Sequence, residues 1–334
     1  MSRRSCRLTL VFLIALALQC TTSTGPGGPP YTHPSRMGSE SILLTGRPFA
    51  VAITSTRVVF VTQLDAGYMG RTTVAGRPFD TDFAVGAIPS QVRVSPNGRT
   101  AYVNNQDAGA VRFVGTSADS AFWTTTVPAS VLSIGLSPSG ARLYALTDYR
   151  GVYVIDAGSG AVLDSINPIA VGSILTGVAF HPTRALMYVS ARDAGTVATI
   201  NTQTGAVIHL DSVVGGNVQN VAVSPDGNQL FATDIGRSKL IAWDLVSGRP
   251  ASTHQEYPIG TPVSRNAFDV AVTPDNAQVY VSTLADGKVY VLDRVSRTLI
   301  DSIRTGGSAR YIGFDRLGET AVIPNEGGWV TFVY

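Results

Sequence analysis

The segment Val221-Ala222-Val223-Ser224-Pro225-Asp226-Gly227 runs into Leu230-Phe231-Ala232-Thr233 after a short gap. Two short runs of apolar and β-branched residues are typical of strands. Proline presets φ at the second position of the intervening turn, and Asn or Asp followed by Gly tolerates the positive φ of a tight hairpin. The segment therefore predicts two antiparallel strands joined by a short turn.

The same arrangement returns along the chain about every 42 residues. We call the residue that opens each turn the anchor, and the seven anchors are Thr54, Ser95, Ser137, His181, Ser224, Thr273 and Asp315. Two further strand-like runs separate each hairpin from the next. Four strands in a repeat of this length are typical of one propeller blade. The sequence thus predicts an all-β chain, a seven-bladed β-propeller of four-stranded antiparallel blades.

The last copy has no candidate for a fourth strand, because its third strand, Trp329-Val330-Thr331-Phe332-Val333, is followed by a single residue. An unassigned run, Ser41-Ile42-Leu43-Leu44-Thr45-Gly46, precedes the first copy. We expect this N-terminal strand to complete the seventh blade and close the ring, which leaves only short, protected strand edges.

The second strand of several copies begins alike, as in Tyr102-Val103-Asn104-Asn105, Tyr188-Val189-Ser190 and Tyr280-Val281-Ser282-Thr283. With the preceding Ser-Pro-Asp/Asn-Gly turns, these residues resemble the YVTN-repeat family of seven-bladed β-propellers, which overlaps in sequence with lactonase-type propellers. The resemblance covers residues 41–334 and implies the fold. Its lactonase-type members imply lactone hydrolysis by channel-lining carboxylates, but no catalytic set matches this chain residue by residue.

Composition narrows the function classes. Charged residues make up 14% of the chain and the formal net charge is +2, so no basic nucleic-acid surface and no nucleic-acid partner are expected. Both cysteines, Cys6 and Cys20, precede the repeats. The repeat domain, residues 41–334, is therefore predicted to lack disulfides, thiol nucleophiles and cysteine metal ligands.

Residues 1–20 have the pattern of a signal peptide, because three arginines precede an apolar run, Leu8–Leu18, that is too short to span a bilayer. The run leads to Cys20 and resembles a bacterial lipoprotein signal, with Cys20 as the lipidation site. Gln19 departs from the Gly, Ala or Ser of that pattern, and a plain secretory signal or an uncleaved anchor are the alternatives. Residues 21–40 are a predicted flexible tether. We expect an exported, lipid-anchored protein facing the periplasm or cell surface, or else a secreted one.

Acidic residues recur in the predicted turns between strands 2 and 3, which share a propeller face with the connections between strand 4 and the next strand 1. The turn acids are Asp65, Asp107, Asp148, Asp193, Asp234, Asp286 and Glu326. This ring of carboxylates is a candidate site for a cation or a basic ligand. In the alternative, each acid caps its own turn by accepting backbone N–H groups.

Basic residues accompany these acids in or beside the same turns and connections. They are Arg47, Arg150, Arg192, Arg237, Arg265, Lys288 and Arg310. They either form salt bridges with the acids at the rim or present a site for an anionic ligand. Arg310 is retained as a candidate ligand-binding residue.

The longest interval between anchors, from Ser224 to Thr273, contains an insertion at residues 254–266. Because function is often added in loops that depart from a repeat, Tyr257, Arg265 and Asn266 are candidate ligand-contacting residues. The four histidines share no metal-ligand spacing. His181 occupies an anchor position and is expected to cap that turn.

Two functions of different classes remain open. The first is a non-catalytic binding or scaffold propeller of the bacterial cell envelope, monomeric and without a cofactor, that holds a protein, peptide or glycan through this face. The alternative is a lactonase-like hydrolase with a carboxylate or divalent-cation site in the central channel. Converging buried carboxylates in a deep channel would favour the hydrolase, and a channel plugged by apolar side chains would exclude it.

Overall fold

The computed structural model describes residues 39–334 apart from 76–77, 80, 117–120, 150, 168–173 and 262–265. The predicted signal peptide with its Cys20, nearly all of the tether, Arg150 and Arg265 lie outside the described residues. Every regular element of the described chain is a β-strand. This part of the chain contains no helix long and apolar enough to cross a bilayer.

The strands form seven antiparallel sheets, and six of these blades use strands that are consecutive in the chain. The first strand, β1 (Ser39–Leu43), belongs to blade seven. Blades one to three are β2 Pro48–Ile53, β3 Val58–Gln63, β4 Tyr68–Thr73 and β5 Thr81–Ala84; β6 Pro89–Val94, β7 Thr100–Asn105, β8 Ala110–Gly115 and β9 Ala121–Thr126; β10 Val131–Leu136, β11 Arg142–Thr147, β12 Val152–Asp156 and β13 Val162–Ile166.

The remaining blades follow the same plan. They are β14 Leu175–Phe180, β15 Leu186–Ala191, β16 Thr196–Asn201 and β17 Val207–Ser212; β18 Val218–Val223, β19 Gln229–Asp234, β20 Lys239–Val246, β21 Arg249–Pro250 and β22 Gln255–Pro258; β23 Ala267–Val272, β24 Gln278–Thr283, β25 Lys288–Asp293 and β26 Leu299–Arg304; β27 Gly313–Phe314, β28 Ala321–Asn325 and β29 Trp329–Val333. The first strands of neighbouring blades contact one another, so they form the inner wall of the ring. The predicted seven-bladed propeller is confirmed.

Ring closure also occurs as predicted. Strand β1 pairs antiparallel with β29, with Ile42 opposite Val330, and the strand order of blade seven is β1-β29-β28-β27. The N-terminal strand therefore occupies the outer position of the last blade and covers an edge that would otherwise stay unpaired.

The repeated turn uses one device in every blade, which is an anchor side chain that accepts backbone N–H groups. Ser95 Oγ accepts the N–H of Thr100 at 3.0 Å. His181 Nδ1 accepts the N–H groups of Thr183 and Arg184 at 3.2 Å, and this confirms its predicted capping role. Asp315 Oδ1 caps the last turn in the same way. An acceptor atom, rather than a hydroxyl as such, is what the position requires.

The repeated tyrosine of the second strand joins neighbouring blades. Tyr102 donates from its hydroxyl to the carbonyl of Ala157 in the next blade at 3.2 Å, and Tyr188 donates to Gly248 at 2.7 Å. Both rings are buried. Each such side chain adds buried apolar area between two sheets and satisfies its polar end, which favours a unique inter-blade packing.

The insertion in blade five is partly a strand rather than a loop. Strand β20 is eight residues long; its end pairs with β21, and its beginning pairs with β22, with Tyr257 opposite Leu240. The fourth strand of this blade is thus split into two pieces. The prediction of a loop was therefore wrong for the first part of the insertion. Its backbone pairs with β20 and forms an edge strand of the sheet.

Two faces of the ring follow from the antiparallel order. The turn face carries the turns between strands 1 and 2 and between strands 3 and 4. The mouth face carries the turns between strands 2 and 3 and the connections from each blade to the next. The predicted ligand-binding candidates belong to the mouth face or to the insertion beside it.

Candidate functional site

A cavity of about 190 Å³ lies at the centre of the mouth face. Its lining residues, which define the mouth cavity, are Arg47, Phe49, Ser90, Gln106, Leu132, Thr176, Arg192, Gln219, Phe268, Arg310, Tyr311 and Glu326. All seven blades or their connections contribute at least one of them. The cavity is therefore the entrance of the central channel.

Arg310, a predicted ligand-binding candidate, is held firmly in this cavity. Its guanidinium carbon lies 4.8 Å from the ring centroid of Phe49 and 4.4 Å from that of Phe268. Its Nη2 donates to Glu326 Oε1 at 2.7 Å. Burial lowers the pKa of Arg310, and the Glu326 carboxylate opposes that shift. Two aromatic faces and one carboxylate thus keep a partly desolvated cation at the channel entrance.

Glu326 is shared between two arginines. Arg47 Nη2 donates to Glu326 Oε1 at 2.9 Å, and Arg47 Nη1 donates to Asp65 Oδ1 at 3.1 Å. Arg47 has a positive φ of 59°, a conformation rare for a residue with a Cβ. The hydrogen bond that Arg47 donates to Glu326 is the largest influence that raises the Arg47 pKa. These contacts are the rim salt bridges of one predicted alternative.

The remaining basic candidates divide into paired and unpaired ones. Arg237 bonds both Asp234 and Glu256, and Lys288 lies 5.9 Å from the ring centroid of Tyr290. Arg192, in contrast, has no side-chain ion pair or hydrogen bond among the described residues. Among the described basic candidates, salt bridges therefore account for Arg47, Arg237 and Arg310 but not for Lys288 or Arg192.

Four acids of the predicted ring bind the backbone of the connection that leads into their blade. Carboxylate oxygens of Asp148, Asp193, Asp234 and Asp286 accept the N–H groups of Ser130, Ile174, Asn217 and Thr261 at 3.0, 2.9, 3.1 and 3.0 Å, respectively. Asp65 and Asp107 are exposed. Four of the seven acids thus join their turn to the connection that precedes the blade, whereas the capping alternative placed the N–H partner in the turn itself. Asp234 also caps its own turn, because it accepts the N–H groups of Gly236 and Arg237.

No group of three His, Cys, Asp or Glu side chains converges as a metal site among the residues that the structure describes. The acids that face the connections each accept a backbone N–H group, which occupies one of the roughly four lone-pair sites of a carboxylate.

The described insertion candidates, Tyr257 and Asn266, are not among the residues that line the mouth cavity. Asn266 is fully buried; its Nδ2 donates to Thr261 O and to Asp286 Oδ2, both at 2.9 Å, and its Oδ1 accepts the N–H of Ala285 at 3.0 Å. Tyr257 packs on the core between blades five and six and donates to Gln255. These contacts give both residues structural partners.

Below the entrance, the channel contains a polar group that sequence reasoning missed. We call Gln91, Arg93, Asn220, Asp269 and Tyr311 the channel cluster. Arg93 Nη1 donates to Gln91 Oε1 at 2.7 Å, and its charge interacts with those of Asp269 and Tyr311. The Asn220 amide lies beside the Tyr311 hydroxyl. The cluster lies at the centre of the ring. Protein surrounds Arg93 there, but its side chain remains partly exposed to the channel.

Asp269 is the acid of the channel cluster. Its Oδ2 accepts the N–H of Ile312 at 2.8 Å. Burial raises its pKa to about 7, while that hydrogen bond and the Arg93 charge oppose the shift. Asp269 is the single acid on the described inner strands β2, β6, β10, β14, β18, β23 and β27. A comparison of equivalent inner-strand positions would have found the cluster, because Ala50 and Gly177 stand where other blades carry Gln91, Asn220 and Asp269.

Comparisons with known proteins agree on the fold alone. No family model matches the chain, and no curated protein matches it. Among solved structures, hydrazine synthase of Kuenenia stuttgartiensis is similar with a TM-score of 0.77 at 16% identity, over 86% of this chain and 95% of that one. The Cps50 (Swd1) β-propeller domain of Myceliophteria thermophila is similar with a TM-score of 0.71 at 14% identity, over 88% of this chain and 99% of that one.

Proposed function

We propose that this chain is a non-catalytic binding propeller that holds a protein, peptide or glycan of the cell envelope through its mouth face. The mouth cavity carries the proposal, because every blade contributes to it and its side chains differ from blade to blade. A concave site that combines aromatic walls with a few polar groups is typical of ligand binding. The similarity of this fold to a Cps50 (Swd1) propeller domain and to hydrazine synthase is compatible with binding but does not select a ligand, since propellers serve many functions.

The proposal keeps the predicted cellular setting. The chain would reach the envelope through its N-terminal signal, with Cys20 lipidated and residues 21–40 as a tether, and it would act as a monomer. Its repeats would place it in the YVTN-repeat family. A tethered ring can turn its mouth face towards partners in the envelope without a further anchor.

An exposed aromatic residue supports a recognition role for the mouth face. Tyr149 lies in the strand 2–3 turn of blade three, is 72% exposed and has a positive φ of 56°. A tyrosine held in this conformation costs backbone energy, and exposed tyrosines are enriched where proteins bind one another.

The test uses one variant on each face. Full-length protein is immobilised and exposed to an envelope extract from the producing bacterium, with Tyr149→Ala on the mouth face and Val295→Ala, 73% exposed, on the turn face. We expect Tyr149→Ala to lower the recovery of the captured component several-fold and Val295→Ala to leave it unchanged. Equal recovery by all three proteins, or a loss limited to Val295→Ala, would contradict a mouth-face site.

A lactonase-like hydrolase is the second candidate, and Asp269 is the observation that favours it. A carboxylate with a pKa near 7 can act as a general base. It would take a proton from water while the oxygen of that water adds to the lactone carbonyl, and the ring C–O bond would then break as its oxygen takes up the proton. Steady-state assays with γ-butyrolactone test this. Turnover by the wild type that is lost in Asp269→Asn would support the hydrolase, and no turnover would remove it.

A further inference from the structure

The ion pairs of the mouth cavity leave one positive charge without a counter-ion. Arg47 and Arg310 are matched by Glu326 and by Asp65 at the rim, at 2.9, 2.7 and 3.1 Å. Arg192 lines the same cavity and has no such partner among the described residues. In the channel cluster below, the charges of Arg93 and Asp269 interact, and the pair adds no net charge above the Asp269 pKa of about 7. The entrance as a whole is therefore cationic by one unit when these groups are charged.

Two buried N–H donors around this charge also have no acceptor in the described part of the chain. They are Nε of Arg310 and Nε2 of Gln91, and the Oε1 atom of Gln219 is unpaired as well. Gln91 is only 1% exposed. An unsatisfied buried donor costs about 1–3 kcal/mol. The surplus of donors over acceptors favours an anionic guest, and the Gln219 amide can rotate to present its own NH₂ group.

The walls of the cavity strengthen these interactions. Phe49, Phe268 and Leu132 line it, and the two phenylalanine rings contact each other edge to face with centroids 6.0 Å apart. Apolar walls lower the local dielectric, so that a charge–charge contact is stronger there than in water. A single uncompensated arginine matches a guest of one negative charge. A dianionic phosphate would leave the site with excess negative charge beside Glu326.

We infer that the mouth cavity binds one carboxylate, presented by an acidic side chain of a peptide segment that lies across the mouth face. This inference rests on the proposed function and names the chemistry of its ligand. The guest carboxylate accepts hydrogen bonds from Arg192 and from the free donors around Arg310. The volume of about 190 Å³ admits a side chain rather than a folded partner, and the exposed Tyr149 offers a contact for the rest of the segment.

The experiment is a calorimetric titration of the full-length protein with two blocked peptides, Gly-Gly-Glu-Gly-Gly and its Gln counterpart. We expect the Glu peptide to bind at least about tenfold more tightly, which corresponds to one charge-assisted contact. Arg192→Gln should remove this preference, because the substitution deletes the unpaired charge without breaking an ion pair of the described residues. Arg99→Gln, which changes an exposed arginine on the turn face, is the matched control and should keep the preference. A higher salt concentration should weaken the binding of the Glu peptide more than that of the Gln peptide.

Each other outcome has a defined reading. Equal affinity for the Glu and Gln peptides, or an unchanged preference in Arg192→Gln, overturns the carboxylate site. Tighter binding of inorganic phosphate than of the Glu peptide overturns the single-charge argument. Free butyrate, which carries a single carboxylate, overturns the peptide source if it binds as tightly as the Glu peptide. If Tyr149→Ala still reduces capture from extract while the two peptides bind equally, the proposed mouth-face function stands and only the carboxylate assignment fails.

Discussion

The two faces of the ring are built by opposite rules. On the turn face, every blade repeats one device, an anchor side chain that accepts N–H groups of the turn or of the start of the second strand, whether the anchor is Ser224, His181 or Asp315. On the mouth face, equivalent positions carry different side chains, and these meet at the mouth cavity and the channel cluster. Repetition therefore maintains the fold, and departures from the repeat are concentrated where the seven blades meet.

The largest effect should come from Asp269. Its pKa is raised from 3.8 to about 7 in the folded protein, so the unfolded chain releases this proton at lower pH than the folded one. This contribution lowers stability as pH rises from about 4 to 7 and stays constant above that. Asp269→Asn retains an oxygen for the N–H of Ile312 but has no carboxyl to titrate, so its stability gain over the wild type should grow from near zero at about pH 4 to about 2–4 kcal/mol at about pH 7.

Urea denaturation at several pH values measures this difference between wild type and variant. Asp107→Asn, an exposed acid of the mouth face, is the control and should show no pH-dependent difference. A constant difference between Asp269→Asn and the wild type from pH 4 to 8 would mean that Asp269 titrates as an ordinary exposed acid.

The second effect compares one arginine on each face. Arg310→Gln deletes a cation held between Phe49 and Phe268 and its bond to Glu326. We expect a loss of about 2–3 kcal/mol in the free energy of unfolding, whereas Arg99→Gln should change it by less than about 0.5 kcal/mol. Similar losses in both variants, measured by urea denaturation, would remove the asymmetry between the faces.

The third prediction compares two anchor residues of the turn face that differ in burial. Ser224 is fully buried and its Oγ accepts the N–H groups of Asn228 and Gln229 at 3.2 and 2.9 Å. Ser95 is partly exposed and accepts one N–H from Thr100. Ser224→Ala should cost about 1–2 kcal/mol and Ser95→Ala about half as much. Thermal melts that rank them in the reverse order would show that the turns are not one device.

The smallest effect concerns calcium. Because Asp148, Asp193, Asp234 and Asp286 already accept backbone N–H groups, added Ca²⁺ should leave the melting temperature of the full-length protein unchanged, and so should its removal by a chelator. Magnesium at equal ionic strength controls for screening. A calcium-specific rise in melting temperature would restore the acidic ring as a cation site.

The fold could be predicted because its determinants are local. Proline, Asn or Asp, and Gly define a hairpin within a few residues, and Gly98 and Gly227 have φ of 70° and 72°, as the turn requires. Strand β1 could be assigned to blade seven because that blade lacked a fourth strand. The prediction for the insertion was wrong in part. The residues of β22 were assigned to a loop, because the sequence does not show that β20 is longer than the third strands of other blades.

The site was less predictable because its contacts join residues that are distant in the chain. Asp193 bonds the N–H of Ile174, 19 residues earlier, and the sequence alone does not distinguish this contact from a local cap or a metal ligand. The channel cluster joins blades two, five, six and seven through Arg93, Asn220, Asp269 and Tyr311. These residues come from four different blades, and only ring closure brings them together.

The pairing of β1 with β29 has a consequence for the order of folding. Ser41 and Thr331, whose hydroxyls lie 3.0 Å apart, are 290 residues apart in the chain. A ribosome releases β1 first and its partner last, so blades one to six can assemble during synthesis while the ring is still open. Closing so long a loop carries an entropic cost that neighbouring hairpins avoid. Closure of blade seven, and with it completion of the mouth cavity, is thus expected to be slower than formation of the neighbouring hairpins, and a chain truncated before β29 should lack the complete cavity.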